Sequence, residues 1–516
     1  MITCKELFSQ YVPQPVNNKG IYDFLDELAN DKIILINSAV KPYSRLFIAN
    51  RLREADQQRE RLNPRQQKEL DFYLLDFGKE LNPGKDWKRR RDLFYYKDSV
   101  FSLTINPIAG GEAFINLSGK ATYWRNGVEA RAYVNSWGFY ASLRDNHEKP
   151  LLAGPEYLTQ REGGHIKNGT DWSDMQGGVT YSWNWGNAGL VKDRLQWGNN
   201  YNGSNIFSGN NPTIFHLRLQ INPVKWFSFN YFHGWLNSMV VDSADSYWIN
   251  NSYGPVYRKT YHKKFIAANM FTIVPMKQLN ISAGNSIVYS DENINPAYLI
   301  PLFFYKSVDH SLTSGIDNMN SQMYFDVSSR QIRHLHLYGT LFVDELSVSR
   351  FTKKDEWNFF SWKAGGRLTD LPLQNLSITA EFTYTYPLTF RHHVPTLTFE
   401  TQGYNLGHYL RDNSREWFIS AGYKPFRTLE LSLFYLDAMR GPDYTAIGGS
   451  RLGNPPLESI SWRYRTIGFK GSMQVINDLY TWLSLSQSEQ SGEEKWTPYY
   501  FRGTRNTLNL GVTVGF

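Results

Sequence analysis

The sequence predicts an all-β fold, a large antiparallel transmembrane β-barrel of about 18 strands behind a small N-terminal α-helical bundle. Three observations carry this reading. From about residue 98 the apolar period drops from 3.6 to 2 and holds for about 400 residues. Aromatic residues make up 16% of the chain (33 Tyr, 32 Phe, 16 Trp) at a mean hydropathy of −0.48, too polar for a helical membrane protein and too aromatic for an ordinary soluble enzyme. No run of ~18 apolar residues exists, which excludes a transmembrane helix and leaves strands as the spanning element. The expected organisation is a loose terminus over 1–16, a helical bundle or plug over 17–92 and the barrel over 93–516.

The helices come first. In "IYDFLDELANDK", Ile21, Phe24, Leu25 and Leu28 form one stripe at i, i+3, i+4, i+7. "YSRLFIANRLREADQQRERL" places Ile48, Leu52 and Ala55 on one face. A third helix opens with Asn63 as N-cap and Pro64 at the first helical position; it continues through Leu70, Tyr73, Leu74, Phe77 and Leu81 and is ended by "NPG" at Asn82 to Gly84. The basic run "KDWKRRRD", Lys85 to Asp92, reads as a solvated linker.

The strands follow. In "NLSITAEFTYTYP", Leu376, Ile378, Ala380, Phe382, Tyr384 and Tyr386 face one way, and Ser377, Thr379, Glu381, Thr383 and Thr385 the other. "IFHLRLQIN" opposes Phe215, Leu217, Leu219 and Ile221 to His216, Arg218, Gln220 and Asn222. "HLHLYGTLFVDE" does the same from His334 to Glu345. Short polar turns such as "TDLPLQ", "KPFRT" and "INPVKW" alternate with longer Gly- and Asn-rich loops. A soluble sandwich alternates too, but it could not bury the Arg, Glu and His of the polar rows unpaired, nor run this far without a helical interruption. In the terminal "TLNLGVTVGF", Leu508, Leu510, Val512 and Val514 should face lipid and Asn509, Gly511 and Thr513 the lumen. The strand should close the barrel against the first one, near "SVFSLTINP", leaving no edge in lipid.

Several chemistries are excluded. The net charge of +7 is not clustered into a stripe, so nucleic acid is not an expected partner. The one cysteine, Cys4, forbids an internal disulfide framework; it reads as a free thiol on a loose terminus rather than a lipid anchor. The first 15 residues lack the apolar core of a signal peptide, so the sequence reads as a mature form. HExxH, P-loop and GxSxG motifs are missing. "VDHSL" holds Asp309, His310 and Ser311, but neighbours on a strand alternate faces and cannot form a triad. His392 and His393 on an extended chain should point apart. His334 and His336 share a face and read as lumen hydrogen-bonders, and "DNMN", Asp317 to Asn320, as a loop-ordering turn. No metal, cofactor or catalytic residue is expected.

Several segments resemble the Wzi family of capsule-assembly outer-membrane proteins over most of the chain. They are "FLDELANDKIILINSAVKPYSRLFIANRLREA" in the helical part, "LQWGNNYNGSNIFSGNNPTIFHLRL" (Leu195 to Leu219), "AYLIPLFFYKSVDHSLTSGIDNMNSQMYFD" followed by "HLYGTLFVDE", and "QGYNLGHYLRDNSREW". The loop from His147 to Gln176 and the "GEAFIN" segment look particular to this chain. The resemblance implies an 18-stranded outer-membrane barrel, plugged at the periplasmic side by the helices, that holds capsular polysaccharide as a lectin without catalysis. Phe516 resembles the terminal aromatic that the barrel-insertion machinery reads.

Sugar binding needs aromatic faces for C–H surfaces and planar polar groups for hydroxyls, with Arg or Lys added for an acidic glycan. Loop residues of these types are Trp183, Trp185, Trp197, Asn199 and Tyr201 in one block and Arg411, Asp412 and Arg415 in another. Trp and Tyr also belong in interfacial girdles. Expected partners are polysaccharide, outer-membrane lipid, the insertion machinery during biogenesis and other envelope proteins. Alternatives to the lectin are a scaffold or accessory subunit of a larger outer-membrane assembly and, third, a porin-like channel, which the plugging helices disfavour.

Overall fold

Alternation of facing residues forces the chain into a wall with two different sides, and that wall closes. In a computed structural model, which describes residues 11–81, 89–167, 169–312, 316–353, 356–444 and 455–516, a ring of eighteen antiparallel strands is formed among the described residues, each paired with its neighbours in chain order. The ring opens with Phe101–Asn116 and ends with Thr504–Val514. These two strands pair from Leu508 opposite Ile115 to Val514 opposite Ala109. The closing strand thus meets the expected first strand, but over its "GGEAFI" half; the "SLTINP" half runs beyond the end of the closing strand and takes a short strand, Phe94–Lys97, as its partner on that edge.

Polar rows face inward. Thr379, Glu381, Thr383 and Thr385 are buried in the lumen, as is His216, while Phe215, Leu217, Trp417, Ile419, Leu510 and Val512 lie on the outer surface. No helix among the described residues is long and apolar enough to cross a membrane. The two ends of the barrel differ. At one end, strands are joined by tight turns such as Asn135–Ser136, Lys225–Trp226 and Asn477–Asp478; at the other lie the long connections 150–170, 194–213, 290–318, 386–413 and 441–461. The connection 290–318 carries a short helix over Tyr305–Leu312, so the all-strand run expected from the sequence is interrupted there, and Asp309–Ser311 of "VDHSL" are helical rather than extended.

The helical domain sits in the short-turn end. Helices α1 (Lys19–Asn30), α2 (Arg45–Asp56) and α3 (Pro64–Phe77) bury the expected stripes together: Ile21, Phe24, Leu25 and Leu28 pack on Ile48, Leu52, Leu70, Tyr73 and Phe77. A reciprocal capping box starts α3: Asn63 accepts from the Gln66 N–H at 2.9 Å and the Gln66 side chain accepts from the Asn63 N–H at 3.0 Å. The "NPG" stop, Cys4 and Lys85 to Lys88 lie outside the described residues.

Charge, not grease, fastens this domain to the wall. Asp26 pairs with Arg330 at 2.8 Å, Asp23 with Arg367 at 2.9 Å and Glu69 with Lys424 at 3.4 Å. His334 Nδ1 lies 2.8 Å from Asp31. Burial, then the charges of Glu27 and Asp370, pushes the Asp31 carboxyl up to about 7. Residues 11–16, expected to be loose, are held as well: Val12 is buried, the Tyr11 carbonyl accepts from Thr180, and the Arg218 guanidinium stacks 3.7 Å over the Tyr11 ring.

Candidate functional site

The lumen is occupied by the chain itself. The connection 194–213 leaves the long-loop end, turns inward and descends far enough to pair with the helical domain. Val40–Lys41, between α1 and α2, pair with Gln196–Trp197, which pair in turn with Phe207–Ser208, a three-stranded sheet inside the barrel. Around it, Trp197 meets Phe207 and Phe232 at 5.3 Å each, and Phe390, Phe399 and Leu406 of the 386–413 connection complete an apolar core.

Below that core the plug is polar and matched to the wall. Asn199 donates from its backbone and side chain to Asp326, at 2.8 and 2.6 Å. The Tyr201 N–H donates to Glu381 at 2.7 Å and its hydroxyl meets His336 at 2.9 Å. Asn202 donates to Glu416 at 2.8 Å, and Lys363 pairs with Glu381 at 3.1 Å. Carboxylates buried in the lumen need hydrogen-bond donors, and the asparagine-rich connection supplies them.

The sequence-nominated residues therefore fall in three places. Trp197, Asn199 and Tyr201 belong to the plug; Trp197 is 2% exposed and offers no free face. Trp183 and Trp185 lie at the opposite, short-turn end, outside the wall, in a chain of rings with Trp137 and Tyr181, where an interfacial girdle is expected. Arg411 and Asp412 tie the long loops together. Arg411 donates to the carbonyls of Pro155 and Gly403, and Asp412 pairs with Arg440 at 2.9 Å beside Arg391 and Asp443. Neighbouring Arg391 and Arg440 hold the Asp412 carboxyl below its ordinary range against the opposing cost of burial. Arg415 points outward at the same end, its Nε 2.9 Å from the Met439 sulfur.

One feature of the long-loop end was not singled out in the sequence. The strands Phe227–Asn251 and Gly254–Met276 are 25 and 23 residues long, and beyond Trp235 and Phe265 they have only each other as strand partners. Residues 254–264 thus carry the hairpin roughly 35 Å past the neighbouring strand ends at ~3.3 Å per residue. Trp248 and Tyr257 are cross-strand partners with ring centroids 5.2 Å apart; Trp248 is 67% and Tyr253 98% exposed. The signal available in the sequence was "SYWINNSYGPVYRK", an aromatic, Asn-rich turn between two unusually long alternating runs.

Comparison with known proteins bears on this geometry. Neither a protein-family model nor a curated protein matches the sequence. Among solved structures, the chain superimposes on Escherichia coli Wzi over 98% of its own length and 100% of that chain, with a TM-score of 0.60 and 14% identity. The fold is that of Wzi. Pseudomonas aeruginosa OccD3 and Acinetobacter baumannii OccAB3 align over 80% and 81% of the chain, covering 90% and 99% of theirs, at TM-scores of 0.44 and 0.45 and identities of 10% and 9%.

In this Wzi-type barrel, His392 and His393 do not point apart. Their rings lie 4.2 Å centroid to centroid, and both face Asp317 across from the 290–318 connection. His392 Nδ1 accepts the Val394 N–H at 3.1 Å, which leaves the proton of the neutral ring on Nε2, toward the carboxylate. That arrangement ties two loops through His393 and Asp317.

Proposed function

We propose that this chain is a non-catalytic outer-membrane protein that binds and retains polysaccharide at the cell surface, with its long-loop end outward and its helical domain in the periplasm. The observation that carries it is the pairing of Val40–Lys41 with Gln196–Trp197: a lumen bridged from both ends leaves the mouth as a binding surface rather than a pore. Short turns at the helical end and long loops at the other support this orientation, since barrels of this kind carry short periplasmic turns and longer outer loops. The solved Wzi is described as involved in group 1 capsule assembly and as a carbohydrate-binding barrel, which supports the same reading here.

The projecting hairpin supplies the contact. Trp248 and Tyr257 give a broad aromatic face against which the C–H side of a sugar ring packs, and Arg258 and Lys259 beside them suit an acidic polymer. Arg411 and Asp412 keep the surrounding loops in position, Arg415 lies on the outer face beside Met439, and Trp183 and Trp185 anchor the opposite rim. Retention of purified capsular polysaccharide by the detergent-solubilised protein is expected, with a loss of at least tenfold for Trp248→Ala/Tyr257→Ala. Co-purification of a stoichiometric protein partner without any glycan binding would replace this reading with a scaffold.

A further inference from the structure

A large cavity lies away from the mouth. Between α2 and the inner wall at the short-turn end lies a vestibule of about 980 Å³, bounded by the strands Gly186–Asp193, Ile214–Val224, Phe227–Asn251 and Leu279–Tyr289. A volume of this order is at the upper end of small-ligand sites. We propose that the vestibule binds a segment of acidic oligosaccharide, a second glycan site at the opposite end of the barrel from the hairpin. The proposal rests on the reading of the chain as a polysaccharide-binding protein.

Three properties of the lining select that ligand class. The first is charge. Arg51, Arg218, Lys225 and Lys277 line the vestibule against one carboxylate, Glu54, which Arg51 already pairs at 2.6 Å. Among the described residues no carboxylate lies within ion-pair distance of Arg218, Lys225 or Lys277, and three cations around one cavity favour an anion. Arg218 is also held in place, by its stack over Tyr11, and its Nε has no partner among the described residues. A guanidinium fixed in advance loses little freedom on meeting a carboxylate.

The second property is amide density. Nine of the lining residues are Asn or Gln, contributed by both the helical domain and the wall. A carboxamide offers an acceptor and two donors, the complement of vicinal hydroxyls. Apolar side chains, Leu35, Val40, Leu46 and Phe47 among them, line the rest of the vestibule and suit the C–H faces of sugar rings. Third, Trp226 stands at the rim with 59% of its surface exposed, giving a flat face for sugar C–H groups at the entrance.

The test is calorimetric titration of the full-length protein in neutral detergent with oligogalacturonate of four to six residues and, separately, with maltohexaose. Oligogalacturonate is expected to bind in a salt-sensitive manner and maltohexaose at least tenfold more weakly. Arg218→Gln should weaken the acidic probe at least tenfold. Because Arg218 also supports Tyr11, the turn variant Lys225→Gln/Lys277→Gln is measured in parallel and should weaken it similarly, whereas in Trp248→Ala/Tyr257→Ala, which acts at the hairpin site, an Arg218-dependent binding event should remain. Oligogalacturonate binding unchanged in both vestibule variants overturns the proposal while leaving the proposed function intact. Wild-type protein that binds neither probe nor capsular polysaccharide overturns both. Saturable binding of phosphatidylglycerol bicelles that depends on Lys225 and Lys277, without oligogalacturonate binding, assigns the vestibule to a lipid headgroup and overturns the proposal.

Discussion

Arg330, in the turn after the strand Met319–Ser329, and Asp26, on α1, lie 2.8 Å apart with side chains 1% and 6% exposed. Their sequence separation is 304 residues. Arg330 also donates to Asn30 at 2.8 Å and Ser38 at 3.0 Å, so one wall residue grips both the helix and the segment that leads to the plug.

Breaking one partner of a buried pair strands the other, at about 3–5 kcal/mol. Asp26→Asn is therefore expected to release the helical domain: limited proteolysis should cut within residues 17–92 at least tenfold faster, while the heat-modifiable migration of the barrel on gels is unchanged. Unaltered cleavage would show that α1 is held by something else.

Truncating Trp197 removes a ring that is packed on several sides, a class of change that costs about 3–5 kcal/mol. Trp197→Ala should loosen the plug sheet. Replacing residues 197–208 with a short Gly-Ser linker should produce ion-conducting steps in planar bilayers, where the wild type is expected to give none. Steady porin-like channels from the intact protein would contradict a sealed lumen.

The docking of the helical domain should depend on pH through Asp31. Its carboxyl is pushed up to about 7 in the folded protein, above the ordinary ~3.9, so the folded state takes up a proton there. The contribution is therefore complete below ~3.9 and is lost as pH rises through 7. His334, pulled down chiefly by burial, works in the other sense: its contribution is present above ~6.5 and lost as pH falls. Proteolytic release of the helices should slow as pH is lowered from 8 to 6.5, and Asp31→Asn should abolish that slope. A slope that survives in the variant would assign it to another group.

Phe516 does not continue the outward row of its strand. Gly515, at φ 71°, turns the chain, and the ring packs on Tyr480 at 5.6 Å, the tyrosine whose hydroxyl donates to Asn18 of the helical domain. Deleting Phe516 should lower the amount of protein inserted in the outer membrane several-fold. Tyr480→Ala, which removes the packing but keeps Phe516, should leave insertion levels near normal. Equal losses in the two variants would mean that Phe516 acts through packing alone.

The wall was legible in the sequence because a strand in a membrane barrel meets two solvents in alternation, and the residues record it: His216 inside and Phe215 outside, Glu381 inside and Phe382 outside. The capping box at Asn63 was equally local. The plug was not legible. "LQWGNNYNGSN" has the composition of an exposed sugar-binding loop, and nothing within it says that Asn199, Tyr201 and Asn202 will meet Asp326, Glu381 and Glu416, which are 127, 180 and 214 residues away. The rings of His392 and His393 came together for a similar reason: a turn, closed against Asp317 from another loop, overrode the extended geometry assumed for neighbours.

By itself the sequence determined the barrel, its apolar and polar faces and the three amphipathic helices, because each follows from a periodicity repeated within a few residues. Only the tertiary structure decided what fills the barrel and what stands free of it. Those outcomes depend on which buried carboxylates and cations find partners across the lumen, and a polar group removed from water is satisfied by whichever donor the closed fold brings within reach, not by its neighbours in the chain.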